Sequence, residues 1–437
     1  MLACLPVLLF AIMESPPSPR TAYLHLADAV EANFREHVLG RWYPRSVDPG
    51  GHGFRQNYNE DWSPGEPSER SIVYQSRLTW VAAMAAMRYP KERSSYLRYA
   101  RAGVKELGRF WDTRDGGFYW AGTASGFPDR DKHVYGIAYA IYASATAYRA
   151  THDPGDLALA ERGFRWLETH AHDPAHGGYY EALDPEGNPI LGPDDTYRMD
   201  WPHRAGTDQI GTVFGLKSMN THIHLLEALT ALQEVWPDKL VRQRLAEVFG
   251  IVRDKVAAPG GYLHMFFKPD WTPVGDEDSY GHDIETAYLL VEGAAALGKS
   301  GDAKTWAIAK KIADHTLAVG WDKRYGGVYD HGGRSSGPSS PEGSRKVWWV
   351  QAEALNCFLL MHERYGKRDH SYWNASVREW EFINLFQLDR SHKGWYRQVS
   401  RDGMPVPGAT KSDGWTEAYH QGRALMNVAD RLRKLAG

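Results

Sequence analysis

Two patterns of apolar and polar positions alternate along the chain. In stretches such as 132–149, 217–235 and 346–364, alanine, leucine, isoleucine and tyrosine leave almost no polar face. In 96–111, 157–170 and 240–256 the apolar residues instead keep to one stripe at helical spacing. A helix that is apolar nearly all round is buried, and an amphipathic one turns its other face to solvent. The pattern predicts helices over 22–39, 70–88, 96–111, 132–149, 157–170, 217–235, 240–256, 282–297, 303–319, 346–364, 372–386 and 416–435. Each more apolar helix is followed by an amphipathic one.

Between these pairs one signature returns six times: an acidic or turn segment, glycines, then aromatic or β-branched residues. It reads DPGGHGFRQNY, WDTRDGGFYW, HDPAHGGYYEALDPEGNP, APGGYLHMFFKPDWTP, WDKRYGGVYDHGG and LDRSHKGWYRQVSRDGMP. The residues after the glycines are Phe54, Phe118, Tyr179, Tyr262, Val328 and Trp395. A long fixed period marks a repeat architecture, and glycine turns followed by such residues predict short β-hairpins. Six buried and six solvent-facing helices closing on themselves make an all-α fold, an (α/α)6 barrel. We expect one domain over 21–437, preceded by an extension over 1–20. Two consecutive α-solenoid halves fit less well, because six is the number that closes a ring.

Every buried helix follows a signature loop, so the N-terminal ends of these helices share one face of the ring. Polar groups that an apolar core would avoid collect there. Arg77 stands in VYQSRLTW, His133 and Tyr135 in KHVYGIAYAIY, and Asn220 and His224, four apart, in KSMNTHIHLLEA. YGHDIETAYLL carries His282 and Glu285 three apart, a spacing that points both the same way from the first turn of a helix. KVWWVQAEAL adds Trp349 and Glu353, and KSDGWTEAYHQGRAL adds Trp415, His420 and Arg423. Any one pair also suits a helix cap. Several at corresponding turns of a ring predict a central pocket with acid–base groups.

Composition narrows the chemistry. Apolar residues make up 43% and charged residues 24%, ordinary for a globular chain with a large core. With a net charge of −3 and scattered basic residues, neither nucleic acid nor an anionic membrane is an expected partner. The 17 Trp and 24 Tyr, many in turn-rich segments, suit stacking on sugar rings as well as core packing. His222 and His224 diverge by about 200° on a helix, which spoils joint ligation. No other His or Cys cluster has ligand spacing, so we expect no metal, with His222 packed as a structural residue. Neither a dinucleotide or phosphate loop nor a serine elbow is present, so no cofactor is expected. Cys4 and Cys357 form no disulfide framework. The apolar segment 2–13 lacks a preceding positive charge and is too short to span a bilayer, so we expect a cytoplasmic protein while leaving export open.

KSMNTHIHLLEALT, GHDIETAYLL, KVWWVQAEAL and WTEAYHQGR together resemble the cellobiose 2-epimerases, within the N-acylglucosamine 2-epimerase group. The resemblance runs from about residue 26 to the C-terminus. It implies an (α/α)6 barrel and metal-independent epimerisation at C2 of a reducing-end sugar. In this chain it implies His282 and His420 as the acid/base pair, with His224 assisting at the ring oxygen or anomeric hydroxyl. It implies Arg77, Asn220 and Glu285 as sugar or intermediate contacts and Trp349 and Trp415 as aromatic contacts; we place Glu353 with the substrate-binding residues as well. The chain departs from the family pattern at Thr416, Ala418 and Gln421 in the closing motif and at Arg70, where lysine is usual. The segment 189–215 is long and is expected to form a substrate-facing loop. We expect a monomer or weak dimer acting on a β-1,4-linked disaccharide. A monosaccharide epimerase or aldose–ketose isomerase would share the chemistry. A glycoside hydrolase of the same fold would instead need a carboxylate pair, for which Glu285, Glu353 and Asp413 are the candidates, and a non-catalytic sugar-binding ring is a further reading.

Overall fold

A computed structural model describes residues 18–66, 69–200 and 206–437; the apolar segment 2–13 lies outside them. The long helices are α1 (Pro19–Asn33), α2 (Ile72–Arg88), α3 (Arg93–Arg109), α4 (Val134–Thr151), α5 (Pro154–His170) and α6 (Met219–Val235). They continue with α7 (Lys239–Ile251), α8 (Tyr280–Ala296), α9 (Ala303–His315), α10 (Trp348–Tyr365), α11 (Ser371–Phe382) and α12 (Tyr419–Ala436). The even-numbered helices pack in succession, and α12 meets α2 to close the ring. Each odd-numbered helix lies outside an even-numbered partner: α1 on α12, α3 on α2, α5 on α4, α7 on α6, α9 on α8 and α11 on α10. This is the (α/α)6 barrel. One buried apolar cluster runs from Ala27 to Leu432. No described helix is long and apolar enough to cross a membrane.

The division into inner and outer helices follows the apolar pattern. In α4, Val134 to Ala147 are buried without a break, whereas α5 buries a stripe that includes Leu159, Phe164 and Leu167. Side-chain caps start the helices: the Ser71 and Ser218 hydroxyls accept from the N–H of Tyr74 and Thr221, and Asp153 and Asp302 cap α5 and α9. The inner helices begin two residues later than the pattern predicts at α2, α4, α6 and α10, because their entry residues are extended.

Those entry residues also correct the hairpin expectation. The glycine turn of each signature closes on one bridge, at Val47–Phe54, Trp111–Phe118, His172–Tyr179, Ala257–Leu263, Trp321–Val328 and Leu388–Trp395, and the third and sixth stretches add a second local bridge at Leu183–Pro189 and Val399–Pro405. Most of the two- and three-residue strands pair between successive units instead, while residues 266–267 and 273–274 form the expected hairpin within the fourth unit. β1 (Arg70–Ser71) pairs antiparallel with β2 (Ala121–Gly122), and β3 (Lys132–His133) with β4 (Ala182–Leu183). β5 (Lys217–Ser218) pairs with β6 (Phe266–Phe267), which pairs with β7 (Pro273–Val274). β8 (Glu277–Ser279) takes β9 (His331–Gly333), and β10 (Lys346–Val347) takes β11 (Gln398–Val399). A bridge between Tyr58 and Ser412 joins the last unit to the first. In the fourth unit the loop is one residue shorter, so Leu263 rather than Tyr262 holds the bridging position.

Four of the loops are held by a side chain from the first turn of an inner helix, Asp283 accepting the Leu263 N–H in the fourth unit. Gln75, His222 and Gln351 accept the N–H of Phe54, Tyr179 and Val328. At Gly178 the backbone has φ +74°, and a Cβ would sit 2.8 Å from the His222 ring nitrogen, so only glycine fits. His222 Nδ1–H donates to Ser218 O at 2.8 Å while Nε2 accepts from Tyr179. His222 is therefore the structural histidine expected from the sequence, and burial pushes its pKa down to about 3. The unfolded chain takes up a proton near pH 6.5 that the folded chain refuses, so His222 contributes stability at neutral pH that is lost as pH falls from 6.5 toward 3. Between pH 7 and pH 5 this one group should cost about 2 kcal/mol. Denaturant melts at the two pH values should show the loss. His222→Gln, which copies the acceptor that Gln75 and Gln351 provide, should flatten it; an unchanged slope would remove His222 from the account.

Candidate active site

At the N-terminal ends of the inner helices lies a cavity of about 170 Å³. α2 supplies Arg77 to its lining, α6 supplies Asn220 and His224, and α8 supplies His282 and Glu285. α10 contributes Trp348 and Trp349, α12 contributes His420, and Trp415 comes from the turn before α12. The three histidines singled out in the sequence thus meet in one place. Trp349 lies against both members of the expected pair, its ring 4.8 Å from that of His282 and 5.3 Å from that of His420. Trp415 sits at the rim, 40% exposed, against Trp120 and Tyr135.

Glu353 is placed differently from the expected substrate contact. It is buried one layer behind the lining, where its Oε1 accepts from His420 Nδ1 at 2.9 Å and from Arg423 at 2.6 Å. It orients a histidine rather than facing the cavity. Arg423 is the hub of this layer, also bonding Glu285, Glu227 and the Tyr419 hydroxyl. Glu227 in turn accepts from His224 Nδ1 at 3.1 Å, so one guanidinium organises the carboxylates behind two histidines. Arg77 donates to Glu417 at 2.9 Å and to the Tyr135 and Tyr139 hydroxyls at 3.1 and 2.7 Å, and the Tyr139 hydroxyl stands 3.0 Å from His224 Nδ1.

Burial pushes the His282 pKa down to about 4, against the raising influence of Glu285. Burial drives His420 well below the ordinary value, again opposed by Glu285 and reinforced by Arg77 and Arg423. Both rings are therefore neutral at pH 7 and able to accept a proton. Burial raises Glu285, but Arg423, His224 and His420 outweigh it and hold the carboxyl below its usual range. Burial raises Glu353.

Four polar atoms of these lining residues have no hydrogen-bond partner among the described residues: Arg77 Nε, Asn220 Oδ1, Glu285 Oε2 and Trp348 Nε1. Buried polar groups are nearly always paired, so a set left open around one cavity marks groups awaiting a ligand rich in hydroxyls. Glu285, Glu353 and His420 also lie close enough to share a cation. The Arg423 guanidinium already fills that role through both carboxylates.

Other expectations resolve outside the cavity. His133 bonds Asp208 at 3.0 Å and caps α4 through the Tyr135 N–H, so it is structural. The described part of 189–215 builds a separate small core from Ile190, Met199 and Phe214 with Ala182, and none of it lines the cavity; residues 201–205 lie outside the described residues. Sequence reasoning missed Glu227, although the i,i+3 rule that paired His282 with Glu285 also pairs His224 with Glu227. It missed Glu417 because that residue precedes the helix and follows no periodic rule.

The sequence profile of N-acylglucosamine 2-epimerase (GlcNAc 2-epimerase) matches residues 53–155 and 202–424. The chain is 30% identical over 409 residues to a cellobiose 2-epimerase of Bacteroides fragilis, covering 92% of this chain and 98% of that one. It is 23% identical over 414 residues to a D-mannose isomerase of Marinomonas mediterranea, covering 91% and 95%. The solved cellobiose 2-epimerase of Spirochaeta thermophila superposes with a TM-score of 0.84 at 27% identity, over 97% of this chain and all of that one. Because that profile matches most of the chain, the chain belongs to the N-acylglucosamine 2-epimerase family.

Proposed function

We propose that this protein epimerises C2 of the reducing-end glucose or mannose unit of a β-1,4-linked disaccharide, without a metal. The observation that carries the reading is the convergence of His224, His282 and His420 on one cavity where Arg77 Nε, Asn220 Oδ1, Glu285 Oε2 and Trp348 Nε1 lack partners among the described residues. Opening the hemiacetal exposes an aldehyde that acidifies the C2 hydrogen. His224, with Tyr139 and Glu227 at its ring, moves the proton between the ring oxygen and the anomeric hydroxyl. One of His282 and His420 removes the C2 proton to give an enediolate, and the other, after taking up a proton, gives it to the opposite face of C2; exchange with solvent restores both rings. Neutral imidazoles suit the abstraction step, and Arg77 stabilises the developing oxyanion. Glu353 holds the His420 ring through Nδ1, leaving Nε2 for the reaction.

A hydrolase reading finds less support. Glu285 and Glu353 both spend an oxygen on Arg423, and Asp413 pairs with Arg397 and caps the Trp415 and Thr416 N–H groups. An aldose–ketose isomerase is the second reading, favoured by the similarity to the D-mannose isomerase. Proton NMR of the protein with cellobiose separates all three outcomes, because the epimer and the hydrolysis product give new reducing-end anomeric proton signals whereas the ketose loses the reducing-end signal.

Substrate length is a separate expectation. The cavity encloses the reacting ring, and Trp415 at its rim offers a stacking face for the next one. Cellobiose or mannobiose should therefore turn over faster than glucose, mannose or N-acetylglucosamine. Faster epimerisation of any of these monosaccharides would overturn the disaccharide assignment.

A further inference from the structure

Five of the six units share one buried ion pair. The aspartate just past the first bridge residue of each loop (Asp48, Asp112, Asp173, Asp322 and Asp389) pairs with a cation leading into an inner helix. Those cations are Arg70, Lys132, Lys217, Lys346 and Lys411. Lys132 meets Asp112 at 2.8 Å and Lys217 meets Asp173 at 2.7 Å, all but fully buried. The same aspartates accept loop N–H groups, so each pair fastens a loop to the entry of a helix.

The fourth unit lacks this pair and puts an acid where the others carry the cation. Ala258 stands in the aspartate's place, and Asp278 in β8 stands where the others carry lysine or arginine. Asp283 from the first turn of α8 and His315 from the end of α9 complete a buried cluster. His315 Nε2 lies 2.8 Å from Asp278 Oδ2, and Asp283 Oδ1 accepts the Leu263 N–H at 2.9 Å. Asp278 Oδ1 and Asp283 Oδ2 have no donor among the described residues, although both carboxylates are almost completely buried. Asp283 Oδ2 lies 4.0 Å from the same His315 nitrogen, and the three side chains offer ligand atoms within 4.8 Å of one another. Of the two other clusters of this kind, His133–Glu181–Asp208 has its carboxylates on backbone N–H and hydroxyl donors, and Glu285–Glu353–His420 has Arg423.

We infer that Asp278, Asp283 and His315 bind a divalent cation, zinc or manganese, which fastens the start of α8 where a lysine or arginine serves in the other units. Two carboxylate oxygens and one imidazole suit these borderline ions. The role is structural and separate from the sugar chemistry, although Ser279, next to Asp278, touches His282 Nδ1 at 2.7 Å. A proton shared by the two carboxylates is the competing way to satisfy them, since burial and the Asp278 charge push Asp283 well above the usual range.

The full-length protein, stripped with chelator and dialysed against Zn²⁺ or Mn²⁺, tests the site by elemental analysis and melting temperature. Binding of about one equivalent with a rise in melting temperature is expected for the parent. His420→Asn should bind the same amount. Asp283→Asn keeps the acceptor for the Leu263 N–H and offers an amide to Asp278, so it should fold yet bind at least ~10-fold more weakly, as for loss of a metal ligand or its support. No stoichiometric metal on the parent would overturn the proposal, as would equal binding by Asp283→Asn. A metal-free Asp283→Asn more stable than the parent under all metal conditions would assign the pair to a shared proton instead.

Discussion

Replacing either His282 or His420 by Asn should lower epimerisation by at least ~10²-fold, the usual scale for a positioned acid or base. The side chains line one cavity and lie against the same tryptophan ring, so each loss removes one group of a single site. If the two rings serve opposite faces of C2, the defects will also differ in kind. In D2O the parent enzyme should place deuterium at C2 of the product in both directions. A variant with one remaining histidine can abstract and return a proton on one face only. It should exchange the C2 hydrogen of one epimer without inverting it, and the other variant should exchange that of the opposite epimer. His224→Asn should slow both directions alike if its work is ring opening. Near-full epimerisation by both the His282 and His420 variants would refute the assignment and return attention to the carboxylates.

The parts of this site that were legible in the sequence are those that obey a local rule. Helical periodicity distinguished α4 from α5, and the six glycine loops set the number of units, because both signals lie within a few residues of one another. His224, His282 and His420 could be grouped because each sits near the start of an inner helix, and a ring brings those starts together. Contacts that join distant units carry no such signal. β1 pairs with β2 some fifty residues on, which no hairpin rule anticipates. Glu353 sits in the same stretch as Trp349, yet its carboxylate turns toward His420 and Arg423 rather than toward the cavity. The Asp278–Asp283–His315 cluster likewise spans β8, α8 and α9, so ligand spacing along the chain does not reveal it.

Arg423→Met should be the most damaging single change for stability. Arg423 is 2% exposed and bonds Glu227, Glu285 and Glu353 together with the Tyr419 hydroxyl. Removing one partner of a buried ion pair typically costs ~3–5 kcal/mol, because the remaining charge keeps its desolvation penalty without compensation. Here three carboxylates lose one cation, and burial already pulls each of them toward the protonated form. The folded chain would have to take up protons at neutral pH, so the variant should regain stability as pH falls, the opposite of what His222 predicts for the parent. Adding Glu353→Gln to Arg423→Met should restore part of the melting temperature by removing one stranded charge. It should not restore activity, since His420 then loses its carboxylate partner and His224 still depends on a Glu227 no longer anchored. Arg423→Lys is the milder control: it keeps a charge, but a single ammonium cannot reproduce the planar fork that reaches all three acids. A melting temperature for Arg423→Met equal to the parent's at neutral pH would show that the three carboxylates are neutralised by other means, and the description of Arg423 as the hub behind the histidines would have to be abandoned.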